Sequence, residues 1–202
     1  MAEKSRWVKK TEEDPNHSHW YVERMRSKAA EGEDLAGEAR LVDAMVPRAA
    51  RILDAGCGPG RVGAALASRG HRVVGVDVDP VLIAAAEQDF PAPTWFVADL
   101  AELDLPASGI DADFDVVVAA GNVMTFLAPT TRQEVLRRLA QHLGVGGRIV
   151  VGFGIGREYS FDEFFADVEA ADLEVQLRLS TWDLQPFTSA SDFLVAVLAP
   201  AG

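Results

Sequence analysis

The chain has 202 residues, of which 49% are hydrophobic, 25% charged and 8% aromatic, so it is long enough for one sizeable core and length alone favours a single domain. Nineteen Lys and Arg stand against 31 Asp and Glu, a formal net charge of −12 that repels phosphate backbones and anionic headgroups and argues against nucleic-acid and membrane partners. A lone cysteine, Cys57, excludes a disulfide framework and a Cys-rich zinc site, and it fits a reducing compartment.

Residues 1–10 are polar and mixed in charge and lead into no apolar run that reads as a secretory signal or a membrane span, so the cytoplasm is the expected address. After the TEEDPN stretch at 11–16, a helical pattern runs over residues 18–30, with Trp20, Met25 and Ala29 spaced toward one face and Gly32 ending it. A second helix over 35–45 carries Leu35, Val42 and Met45 before Pro47 stops it. These two helices are expected to form a lid, residues 1–47, on an α/β core at 48–202 within one domain.

From Arg51 onward strands and helices alternate: RILDAG at 51–56, a helix at 61–69, RVVGVD at 72–77, a helix at 80–89, then WFVAD at 95–99. DVVVAAG at 115–121, a helix at 131–143, RIVVGFG at 148–154 and a helix at 160–171 continue the pattern. Short β-branched runs without a polar face predict a mostly parallel, Rossmann-like doubly wound sheet covered on both sides. The last two strands, 174–180 and 192–198, leave no room for a crossover helix, so the seventh strand is expected to run antiparallel.

Chemistry concentrates in the segment Asp54-Ala55-Gly56-Cys57-Gly58-Pro59-Gly60, which follows a buried strand and opens a helix. Glycines there let backbone N–H groups approach a nucleotide-type ligand. Gly58, Gly60 and Gly63 also match G-x-G-x-x-G, which keeps an NAD(P)-dependent oxidoreductase open as an alternative. The register speaks against it: Asp54, two residues before the first glycine, opposes a pyrophosphate and suits an ammonium group.

ILDAGCGPG at 52–60, GVD at 75–77 and Asp99-Leu100 resemble the successive motifs of the class I S-adenosylmethionine-dependent methyltransferases. The resemblance implies S-adenosylmethionine as cofactor and S-adenosylhomocysteine as product. It places Ala55, Gly56, Gly58 and Gly60 under the methionine part, with Asp54 helping to hold it. Asp77 then accepts both ribose hydroxyls, Val78 lies against one adenine face, and Asp99 with Leu100 meets the adenine amino group. Ala120, Gly121 and Asn122 match the floor of the methyl-transfer site. The closing antiparallel pair is similar to the family's sixth and seventh strands. These positions fall at carboxyl ends of strands, the edge where open α/β sheets bind ligands, and a diol suits a two-oxygen acceptor.

Methyl transfer from a sulfonium is an in-line displacement in which alignment and water exclusion supply much of the rate, so a dedicated base is optional. His19 is the weak candidate for one. Tyr21 and Arg24, one turn apart, are candidates for the cofactor's carboxylate, and Tyr21 is also a weak catalytic candidate. Trp20, Met124, Phe126, Trp182 and Phe187 suggest an apolar or aromatic acceptor. GNVM at 121–124 departs from the N-P-P-[YF] pattern used on amide and exocyclic base nitrogens, and no acidic cluster after the fourth and fifth strands offers a metal site. The expectation is a small-molecule acceptor, no metal, and a monomer or homodimer; a non-catalytic S-adenosylmethionine-binding protein is the other alternative.

Overall fold

The computed structural model describes residues 3–202. Its centre is a seven-stranded sheet built from β1 (Arg51–Ala55), β2 (Arg72–Asp77), β3 (Thr94–Val97), β4 (Phe114–Ala119), β5 (Leu143–Gly154), β6 (Leu173–Leu179) and β7 (Phe193–Pro200). The strand order is β3-β2-β1-β4-β5-β7-β6. β7 alone opposes its neighbours, pairing antiparallel with both β5 and β6, as expected from the short final connection. The chain winds outward from β1 to β3 and then returns to place β4 beside β1. The carboxyl ends of β1 and β4 therefore diverge into a crevice, the switch point at which such sheets take ligands.

Alternation along each strand divides the core. Leu53, Val117, Val151 and Phe153 face one layer, covered by Leu136 and Leu139 of α7 (Arg132–Gln141) and by Phe164 and Val168 of α8 (Phe161–Ala170). Ile52, Val116, Val118 and Val150 face the other, under Val42 of α3 (Gly37–Met45) and Val62 and Leu66 of α4 (Arg61–Ala67). Both faces are apolar, which explains why the strands read as continuous hydrophobic runs.

The N-terminal part holds three helices rather than the two expected. α1 (Arg6–Glu13) precedes α2 (His17–Ala30), and Ser5 caps it by accepting the Val8 N–H at 3.2 Å. α1 buries no side chain completely, and its two apolar residues, the adjacent Trp7 and Val8, are too few to repeat at helical spacing. Two boundaries also move. β5 begins at Leu143, because LGVGG extends the strand beside Phe114. β3 stops at Val97, and Asp99 instead caps a 3₁₀ turn by accepting the Ala101 N–H at 2.9 Å. Among the described residues no helix is long and apolar enough to cross a membrane.

Candidate active site

The glycine loop is shaped by what lies under it. As the chain leaves β1, the N–H groups of Gly56 and Cys57 both donate to the Val76 carbonyl, at 2.8 and 3.0 Å, folding the loop over the end of β2. Gly56 has φ +75°, and a Cβ there would meet Val123 Cγ2 at 2.5 Å, so backbone freedom and close approach both require glycine. Trp95 of β3 presses its ring onto the same region: a Cβ on Gly63 or Gly75 would come within 2.9 or 2.2 Å of it. The indole is held by donation from Nε1 to the Phe90 carbonyl at 2.8 Å.

Two carboxylates are buried beside this loop. Asp54 Oδ2 accepts the Gly63 N–H at 2.8 Å, serving the amino end of α4 from outside the helix. Burial pushes its carboxyl up to about 7, against the lowering pull of that amide. Asp77 ends β2 with Oδ2 accepting the Gly58 N–H at 2.8 Å and Oδ1 accepting the Asp79 N–H at 3.0 Å. Burial raises it to about 6. The Cys57 thiol is likewise pushed well up by burial, which leaves it an inert core group.

Above the loop lies a pocket of about 630 Å³, counting its open mouth. Gly56, Gly58, Asp77 and Val78 line one side, continued by Leu82, Asp99, Leu100 and Gly121. The opposite wall comes from the N-terminal helices and from α6 (Val123–Phe126) after β4: Ser5, Trp7, Tyr21, Val123, Phe126 and the adjoining Leu127. Trp7 makes edge contacts with both Tyr21 and Phe126, at ring separations of 5.4 and 5.6 Å. Tyr21 reaches over the glycine loop, 3.7 Å from where a Gly58 Cβ would stand, and burial raises its hydroxyl above the ordinary tyrosine value.

Of the residues singled out in the sequence, the pocket thus gathers Gly56, Gly58, Asp77, Val78, Asp99, Leu100, Gly121, Tyr21 and Phe126. Asp54, Ala55, Gly60, Ala120 and Asn122 support it without lining it: Asp54 is turned to α4, Ala55 and Ala120 are buried, Gly60 starts α4 in a left-handed conformation, and Asn122 Oδ1 accepts the Gly154 N–H at 2.9 Å.

His19, Trp20 and Arg24 are not brought to the pocket. On α2 it is His17, Ser18 and Val22 that are buried, which turns Trp20 and Arg24 outward. The Arg24 guanidinium lies over the Trp20 ring at 5.3 Å, and His19 borders a groove between α2 and α5 (Pro80–Asp89). Met124 is wholly buried in the core, Trp182 lies on Gly152, and Phe187 packs edge-on against Phe161 at 5.5 Å. Met124 thus belongs to the core, Trp182 and Phe187 are half-buried against it, and none of the three lines the pocket.

The sequence reading missed Ser5, Trp7, Ser18 and Asp79. Asp79 had a detectable signal, an Asp directly before Pro80 at a helix start, and it does cap α5 by accepting the Val81 N–H at 2.8 Å. Trp7 had none. Among the described residues no group of three or more His, Cys, Asp or Glu could hold a metal ion.

Residues 52–147 match the family model for a methyltransferase domain. Over 93% of this chain and 100% of the other, the fold superposes on the crystal structure of a TehB-like S-adenosylmethionine-dependent methyltransferase from Corynebacterium glutamicum, with a TM-score of 0.87 and 48% identity. The chain belongs to the class I S-adenosylmethionine-dependent methyltransferases. The chain is also 45% identical over 75 residues to an uncharacterized methyltransferase of Mycobacterium tuberculosis, covering 36% of this chain and 38% of that protein. With the magnesium-protoporphyrin O-methyltransferase of Rhodobacter capsulatus it shares 35% identity over 116 residues, 54% of this chain and 48% of that one. The chain therefore spans half or less of the length of these two curated relatives. S-adenosylmethionine is the cofactor of the family, and the methyltransferase pocket fits it: a cradle at Gly56 and Gly58 that side chains would fill, and a buried carboxylate at Asp77 beside it.

Proposed function

We propose that this chain transfers a methyl group from S-adenosylmethionine to a small molecule whose reacting atom is nucleophilic without a protein base. The observation that carries the reading is the inventory of ionisable groups lining the pocket, which among the described residues comprises Tyr21, Asp77 and Asp99. Asp77 is engaged by two backbone amides, Asp99 caps a turn, and the Tyr21 hydroxyl keeps its proton well above neutral pH. On this reading both carboxylates face the cofactor rather than the acceptor and Tyr21 is protonated at neutral pH, so the protein's contribution is alignment and exclusion of water.

When bound, the cofactor supplies an electrophilic methyl group on a sulfonium. Asp77 accepts the ribose hydroxyls, while Val78, Asp99 and Leu100 hold the adenine. The loop at Gly56 and Gly58 carries the methionine part, with the Tyr21 hydroxyl as a donor to its polar end. Gly121 would lie in the floor of the methyl-transfer site, and Trp7 and Phe126 would form the wall on the acceptor side. We place the enzyme in the cytoplasm as a monomer or homodimer without a nucleic-acid partner, in keeping with its charge of −12 and its single free thiol.

Calorimetric titration of ligand-stripped protein with S-adenosylmethionine, S-adenosylhomocysteine and NADH tests the cofactor. Binding of the first two alone supports the reading, and binding of NADH alone sinks it. An acceptor screen read by S-adenosylhomocysteine release follows, and the rate for any acceptor found should track that acceptor's own ionisation rather than an enzyme group.

A further inference from the structure

We infer that Asp79 is a positioning residue that ties the lid to the cofactor-facing carboxylate: its side chain pins α1 and α2 over the pocket while its backbone N–H aims Asp77. What Asp77 receives rests on the cofactor reading above; the pinning of the lid does not.

Asp79 is 6% exposed. Its Oδ2 accepts the Trp7 Nε1–H at 2.7 Å and also the Ser18 hydroxyl, one donor from each lid helix. Its Oδ1 accepts the Val81 N–H, and its own N–H donates to Asp77 Oδ1. One residue thus joins α1, α2, α5 and the end of β2. The other ties of α1 are of a different kind. Arg6 donates to the Arg157 carbonyl at 2.7 Å and to the Thr125 carbonyl at 3.5 Å and pairs with Glu158, whose side chain is 81% exposed, while Glu3, just before the helix, accepts from Thr130 at the surface. Solvent-exposed pairs of this sort contribute little, whereas the half-buried Trp7 N–H and the buried Ser18 hydroxyl face a buried carboxylate that is costly to leave unpaired. With no fully buried side chain of its own, α1 depends on the Trp7 bond to keep the indole against Tyr21 and Phe126.

Two variants separate this role from general stability. Trp7→Phe keeps a ring and removes the N–H. Asp79→Asn keeps an oxygen for the Val81 N–H and sets an amino group against the Trp7 and Ser18 donors. Each should speed S-adenosylhomocysteine dissociation about tenfold and speed amide exchange over residues 6–13 in ligand-free protein. The double variant should be no faster than Asp79→Asn alone, because both changes break the same bond. Additive effects, or unchanged exchange in both single variants, overturn the inference. If Asp79→Asn does not fold, Trp7→Phe decides alone: faster exchange and dissociation support the role, unchanged values refute it. Failure of the wild type to bind S-adenosylhomocysteine would remove the cofactor reading and leave the exchange measurement to decide the lid.

Discussion

Asp54 and Asp77 carry protons in the folded protein at pH values where the unfolded chain has lost them. Their carboxyls rise to about 7 and about 6 through burial, against an unfolded value near 4. The folded state therefore binds more protons over that interval, so the stability these two supply is complete below about pH 4 and is lost as pH rises through 6 and 7. Glu38 pulls the other way: its burial would raise it, but the Arg61 guanidinium holds it below its ordinary value. The comparison that isolates Asp54 is with Asp54→Asn, which still accepts the Gly63 N–H. Between pH 5 and 8 the ligand-free wild type should lose melting temperature relative to this variant, and parallel curves would show the burial argument to be wrong. On the proposed reading ribose hydroxyls donate to the ionised form of Asp77, so S-adenosylhomocysteine should bind more weakly as pH falls below about 6. Asp77→Ala should weaken it about a hundredfold, or ~3 kcal/mol, by calorimetry.

Among the elements, β2 and β3 meet through glycine and tryptophan. Gly75 leaves room for the Trp95 ring that also bears on Gly63 of α4, so one indole sets the height of the glycine loop above the sheet. Gly75→Ala would drive a methyl into that ring and should cost about 1–3 kcal/mol, read as a lowered melting temperature. Gly75→Ala combined with Trp95→Leu should recover part of the loss; no recovery would mean the strain lies in the strand itself. The core elements were legible because their residues have only one place to go: apolar runs bounded by Gly, Pro and Asp, with ligand-facing groups set by backbone at strand ends. The lid was not. HSHWYVERMRSKAA carries large side chains on two faces of α2, and only packing on α5 through Val22 and Leu82 decides that Tyr21 faces inward and Trp20 and Arg24 outward. α1 has less still, since its two apolar residues, Trp7 and Val8, are adjacent and too few to repeat, and its ties run through Trp7 and Arg6 to groups far away in sequence.

At the scale of the whole molecule, a charge of −12 should keep the protein off polyanions. Fluorescence anisotropy of a labelled 20-mer DNA or RNA should stay flat even at low salt; binding that weakens steeply with added salt would overturn that expectation. The sheet order has another consequence. β6 is made before β7 yet joins the sheet only through it, because β7 lies between β5 and β6. During synthesis, β5 and β6 must wait with unpaired edges, Leu173 and Leu179 among them, until residues 193–200 leave the ribosome. The half of the sheet farthest from the glycine loop is thus the last to close, and a nascent chain stalled before Phe193 would present the free edge of β5 and a wholly unpaired β6 to chaperones and to other copies of itself.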